Sequence, residues 1–129
     1  MKYADGETRL TAWLHTALGC KMWADPRLPE NYDFTTPIGH LQRSAGEGDT
    51  FLTLDSGIYD LDFYGAKADT VRAYAEQARY ELRFNLPRFT WADGVTVNGV
   101  ATLSAPAWRP DPAVFRRGAS YRVILHGLI

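Results

Sequence analysis

Between Tyr59 and Leu82 the apolar residues change their spacing, and that change constrains the fold more than any other feature of the chain. In Tyr59–Gly65, Tyr59, Leu61 and Phe63 alternate with Asp60 and Asp62, the period-two pattern of a strand with one buried face and one wet or partner-facing face. From Lys67 to Phe84 the spacing becomes helical: Val71, Ala75, Ala78 and Leu82 form a stripe that Tyr74 widens, and Leu86-Pro87 ends it. A one-faced strand and a one-striped helix each need an apolar partner, so the pair calls for helix packed on sheet.

The flanking segments extend this reading. Leu10, Trp13, Leu14, Ala17 and Leu18 make an apolar stripe, so the spacing predicts a helix over Asp5–Leu18 with Gly19 as its C-terminal cap. Asp5 and Glu7 sit where the helix macrodipole favours negative charge. Cys20–Trp23 reads as a short strand, Glu30–Pro37 as irregular, and Ile38–Ala45 as a strand closed by a turn at Gly46-Glu47-Gly48-Asp49. A strand from Val95 to Ala105 leads into Ala105–Pro112, whose three prolines predict an ordered extension outside the hydrogen-bonded ladder. In the last strand, Ala119, Tyr121, Val123 and Leu125 alternate with Ser120, Arg122, Ile124 and His126. The expected order is α-β-(long loop)-β-β-α-β-β: one α+β domain over residues 1–129, with two helices packed on a mainly antiparallel sheet.

Composition narrows the function classes. Fourteen Lys and Arg against fifteen Asp and Glu give a net charge of −1, which argues against a nucleic-acid binder and against a polybasic membrane anchor. No apolar run is long enough to span a membrane, and the opening residues MKYADGETR lack the apolar stretch of a signal peptide. The single cysteine, Cys20, excludes an intrachain disulfide and a multi-cysteine zinc site, and favours folding inside a cell.

Few residues carry chemistry. His15, His40 and His126 have no metal-ligand spacing to one another, and Cys20, beside Met22 and Trp23, reads as a small buried hydrophobe. Asp60 and Asp62 project from one sheet face about 7 Å apart. Such a pair can hold a cation or act as acid and base, or it can line a solvated or partner-facing strand. Gly46-Glu47-Gly48 lacks the Lys of a phosphate loop. Arg109, Arg116 and Arg117 lie near Trp108 and Phe115, a composition that suits a protein interface. The residues themselves point to no enzyme, cofactor or metal.

The order of elements and several local segments together resemble the tail terminator proteins of long-tailed (siphovirus) bacteriophages, in the forms common among phages of actinobacteria. The segments are the N-terminal helix, the strand leading into Leu28-Pro29, Asp60-Leu61-Asp62-Phe63-Tyr64-Gly65, Ala75-Glu76-Gln77 in the second helix, Ser104-Ala105-Pro106-Ala107-Trp108-Arg109-Pro110-Asp111, and Arg117-Gly118-Ala119-Ser120-Tyr121. Together they span nearly the whole chain, while Glu30–Pro37 departs from the tighter spacing of that family.

The resemblance implies a structural virion protein of the tail–neck junction, assembled in the bacterial cytoplasm. Its subunits form a hexameric ring that caps the tail tube, ends tube growth and meets the head–tail connector. DNA only passes through the channel, and no membrane or cofactor takes part. A ring needs two different complementary patches on each subunit. Asp60 and Asp62 on one side, and Trp108, Arg109, Asp111, Phe115, Arg116 and Arg117 on the other, are the expected contact residues. Another neck or head-completion protein, a small metal-dependent enzyme using Asp60 and Asp62, and a cellular adaptor domain are the rival expectations.

Overall fold

The strand of alternating apolar and acidic residues lies at the centre of a five-stranded sheet. The computed structural model describes residues 1–51 and 53–129. Its elements in chain order are α1 (Gly6–Leu18), β1 (Lys21–Trp23), β2 (Ile38–Phe51), β3 (Leu54–Gly65), α2 (Ala68–Tyr80), β4 (Thr96–Arg109) and β5 (Phe115–His126). The strands lie side by side in the order β1-β2-β3-β5-β4. The fold is α+β, but the sheet is mixed: β1 runs parallel to β2 while the remaining neighbours are antiparallel. The 24–37 connection is long enough for the crossover of about a dozen residues that parallel pairing requires.

One sheet face carries both helices. Tyr59, Leu61 and Phe63 of β3 and Ala119, Tyr121, Val123 and Leu125 of β5 are all buried there. They meet Leu10 and Leu14 of α1 and Val71, Ala75 and Ala78 of α2 in one core cluster. Asp5 caps α1 by accepting the Thr8 amide at 3.2 Å, and Gly19 ends it with φ 66° and its N–H on the His15 carbonyl. Only Ala17 of the expected stripe is exposed. Cys20 is buried, and loss of water pushes its thiol up to about 11.

Three expectations are corrected. The second helix is α-helical only to Tyr80; Glu81–Asn85 widen into a π-turn and Leu86–Arg88 tighten into a 3-10 turn. Pro87 has no amide to donate and its ring crowds the carbonyl four residues back, so the last turns rewind around it. The turn expected at Gly46–Asp49 is absorbed into β2 as irregularities in its pairing with β3, with Gly48 at φ 72°. Similarly, the Ala105–Pro112 segment is no free arm. Ala107, Trp108 and Arg109 pair with Gly118, Arg117 and Arg116, and the register shift between Ser104 and Ala107 lets Pro106 pass without a ladder bond. An edge strand tolerates proline at such a bulge.

The face opposite the helices is less wet than the alternation suggests. The 24–37 segment folds back across it: His40 Nε2 donates to the Asp25 carbonyl at 2.6 Å, and Gln42 Nε2 donates to the Ala24 and Asp25 carbonyls. Phe34 packs on Tyr64 with ring centroids 6.2 Å apart, and its carbonyl accepts the Ala66 amide. These contacts hold Phe34 at φ 60°, a conformation unfavourable for a bulky side chain.

Candidate functional site

Asp62 organises the rest of that face. It is 5% exposed and sits opposite Gly118 on β5. Arg109 and Arg116 face each other across β4 and β5, a pairing of like charges that repel unless neutralised. Asp62 neutralises them from the third strand: Arg109 NH1 donates to its Oδ1 at 3.0 Å, and Arg116 NH2 donates to its Oδ2 at 3.3 Å. Gly118 makes the reach possible. A Cβ there would collide with Asp62 Oδ1 and lie 2.8 Å from the Arg109 guanidinium carbon, so Arg109 crosses β5 over a bare backbone. Arg116 also covers the Tyr64 ring at 5.4 Å. Burial opposes its charge, yet the Asp62 bond and charge outweigh burial and raise its pKa further.

Asp60 behaves differently. Its Oδ1 accepts the Ser120 hydroxyl at 2.6 Å, so the two carboxylates do not converge on a shared point. Both oxygens of Asp62 already accept from guanidinium groups, the arrangement of a neutralised carboxylate rather than of a cation ligand. Among the described residues no group of three or more His, Cys, Asp or Glu is placed to hold a metal ion. Within one chain, Asp62 thus already meets two of the three arginines expected to contact another copy, because the β3-β5-β4 order lays them beside it.

Beyond this cluster the surface turns aromatic. Trp108 and Phe115 are 40% and 48% exposed with ring centroids 6.0 Å apart. The Arg72 and Arg117 guanidinium groups lie 5.4 and 5.1 Å from the Trp108 ring, within cation–π range. Arg117 in turn donates to Glu76 at 3.0 Å. A concavity of about 480 Å³ opens here between the start of α2 and the β4–β5 connection. Asp111 lines it and closes that connection by accepting the Ala113 and Val114 amides at 2.9 and 3.1 Å.

The fold thus brings seven of the eight expected contact residues together around Asp62 and Trp108, with Asp60 one step along β3. It also shows residues that motif reading passed over. Arg72, Glu76, Arg79 and Tyr80 of α2, and Arg83 and Phe84 of the π-turn that continues it, are exposed on the side away from Val71, Ala75 and Ala78. Tyr80 and Phe84 are 54% and 56% exposed with ring centroids 5.2 Å apart, and Arg83 lies over Phe84 at 5.9 Å. The same helical spacing that marks the buried stripe carries this signal on its reverse side.

The segments that carry the resemblance to tail terminators also meet in space. Asp60–Gly65 touches Ser104–Asp111 through Asp62 and Arg109, and touches Arg117–Tyr121 through Asp60 and Ser120. Ala75–Gln77 joins them through Glu76 and Arg117. No protein-family model matches the chain, and no curated protein does.

Proposed function

We propose that this chain is a structural subunit of a phage virion that forms a ring, of six copies by analogy with the family it resembles, and caps the end of a tail tube. The observation that carries the reading is that four separated motif segments pack on one another, Asp62 against Arg109, Asp60 against Ser120 and Glu76 against Arg117, with Trp108 and Phe115 displayed beside them. Exposed aromatics beside arginines have the composition of protein interfaces. Capping needs no chemistry: a ring whose free face does not repeat the tube lattice stops addition of the next tube subunit. The other face meets the head–tail connector, and DNA passes through the lumen.

Adding the purified chain to polymerising tube subunits tests this directly by electron microscopy. Arrested growth with density at one tube end is the expected result. Unaltered tube lengths with no end density contradict it. Binding to connector rings without arrest assigns the chain instead to another layer of the neck.

A further inference from the structure

The net charge of −1 hides a strong polarity. Residues 1–62 hold ten acidic and five basic side chains, whereas residues 63–129 hold five acidic and nine basic ones. Strand order turns part of this difference into one across the molecule, with Asp55, Asp60 and Asp62 left on the central strand β3. β1 and β2 form one side of the sheet, with the 24–37 segment laid over the face of β2 away from the helices, and β5 and β4 form the other side. α1 packs against β1 and β2, while α2 packs against β3, β5 and β4. The 24–37 segment exposes Asp25 and Glu30 and carries Asp33, against a single basic residue, Arg27. The opposite side exposes Arg72, Arg79 and Arg83 beside Trp108, Tyr80 and Phe84, three basic groups against the exposed Asp69 and Glu76.

We propose that copies of this chain join head to tail, the outer side of α2 and the Trp108 corner of one copy seating on the acidic 24–37 segment of the next. Opposite charge on opposite edges favours this pairing and disfavours like edges meeting. Two different surfaces at opposite ends make a heterologous contact, which closes into a ring or runs on as a filament. The arginine–aromatic side supplies residue types that dominate interface energetics. Pro26, Pro29 and Pro37, together with the His40 and Gln42 bonds, keep the acidic segment ordered before contact, which lowers the entropy lost on docking. The contact deepens the ring reading above, and its closure into a ring rests on that reading.

A charge-swap series tests the contact in the full chain. One variant carries Arg72→Glu and Arg79→Glu, the other Asp25→Lys and Glu30→Lys; all four side chains are exposed. By sedimentation, each variant alone is expected to self-associate at least about tenfold more weakly than the natural chain. An equimolar mixture recovers association, because every contact then joins an acidic edge to a basic one, and a chain with all four changes recovers it too. Raising salt from about 0.1 M to about 1 M weakens the natural contact, since the screening length falls from about 10 Å to about 3 Å. A natural chain that stays monomeric at millimolar concentration overturns the proposal. So do single-edge variants that associate normally, or a mixture no better than its components. Tube arrest preserved in a single-edge variant overturns this contact but leaves capping intact. Rescue by mixing without any tube arrest supports the contact and removes the capping role.

Discussion

Asp62→Ala isolates what the central cluster contributes. The substitution removes the counter-ion shared by Arg109 and Arg116, leaving two guanidinium groups opposite each other across β4 and β5. Two charge-assisted contacts are lost, one bifurcated from Arg109 and one from Arg116, each contributing about 1.5–3 kcal/mol. The arginine side chains are 29% and 31% exposed, so water restores part of their solvation and the cost falls below that of breaking a fully buried pair. The net loss is about 3 kcal/mol, or about 12 °C in Tm at roughly 4 °C per kcal/mol for a domain of this size. Urea unfolding followed by circular dichroism measures it as a lower midpoint at unchanged slope. Adding Arg109→Met relieves the facing charges, so the double variant is expected to be more stable than the sum of the two single losses, by about 1 kcal/mol. A loss under about 1 kcal/mol for Asp62→Ala, or strict additivity of the pair, refutes the role of Asp62 as shared counter-ion.

Other consequences of the fold can be checked with simpler measurements. Gly118→Ala places a methyl group where Asp62 and Arg109 meet and is expected to lower stability by about 1–3 kcal/mol; an unchanged melting curve contradicts the crossing of Arg109 over β5. Burial raises Tyr59 to about 12, raises Tyr121, and raises Cys20 to about 11. These groups keep their protons in the folded chain above the pH at which the unfolded chain loses them, so stability is full below about pH 9 and falls as pH rises through 9–12; a flat Tm over that window refutes their burial. The same burial makes Cys20 react with thiol reagents about a hundredfold more slowly at pH 8 than in urea, as its thiolate fraction falls tenfold per pKa unit. Trp108→Ala, at an exposed position, is expected to change Tm by less than about 2 °C while weakening self-association at least tenfold; equal association by sedimentation removes Trp108 from the contact.

The elements legible in the sequence are those whose own spacing decides them. The caps of α1 at Asp5 and Gly19, the buried stripe of α2 and the alternation of β5 all follow from local pattern. Where neighbours decide, local reading falls short. Ala105–Pro112 looks unfit for pairing because of its prolines, yet at an edge strand only the residues around Pro106 need leave the ladder. Gly46–Asp49 carries turn residues, but the long β2–β3 hairpin absorbs them. The acidic side of β3 reads as wet or partner-facing, because no local signal shows that Arg109 and Arg116 will lie beside Asp62, or that the 24–37 segment will cover Tyr64. At the candidate site, arginines near aromatics were visible from Arg109, Arg116, Arg117, Trp108 and Phe115. The exposed Arg72–Phe84 side carries no local motif, because only the packing of Val71, Ala75 and Ala78 on the sheet sets which way it faces.

Native mass spectrometry of the chain, with and without tail-tube fragments, tests the central claim most directly. The expected result is a ring of six chains bound to a tube end, with the same stoichiometry lost when Arg72 and Arg79 are reversed to Glu. A chain that remains monomeric in both samples and leaves the tube fragments unbound contradicts it.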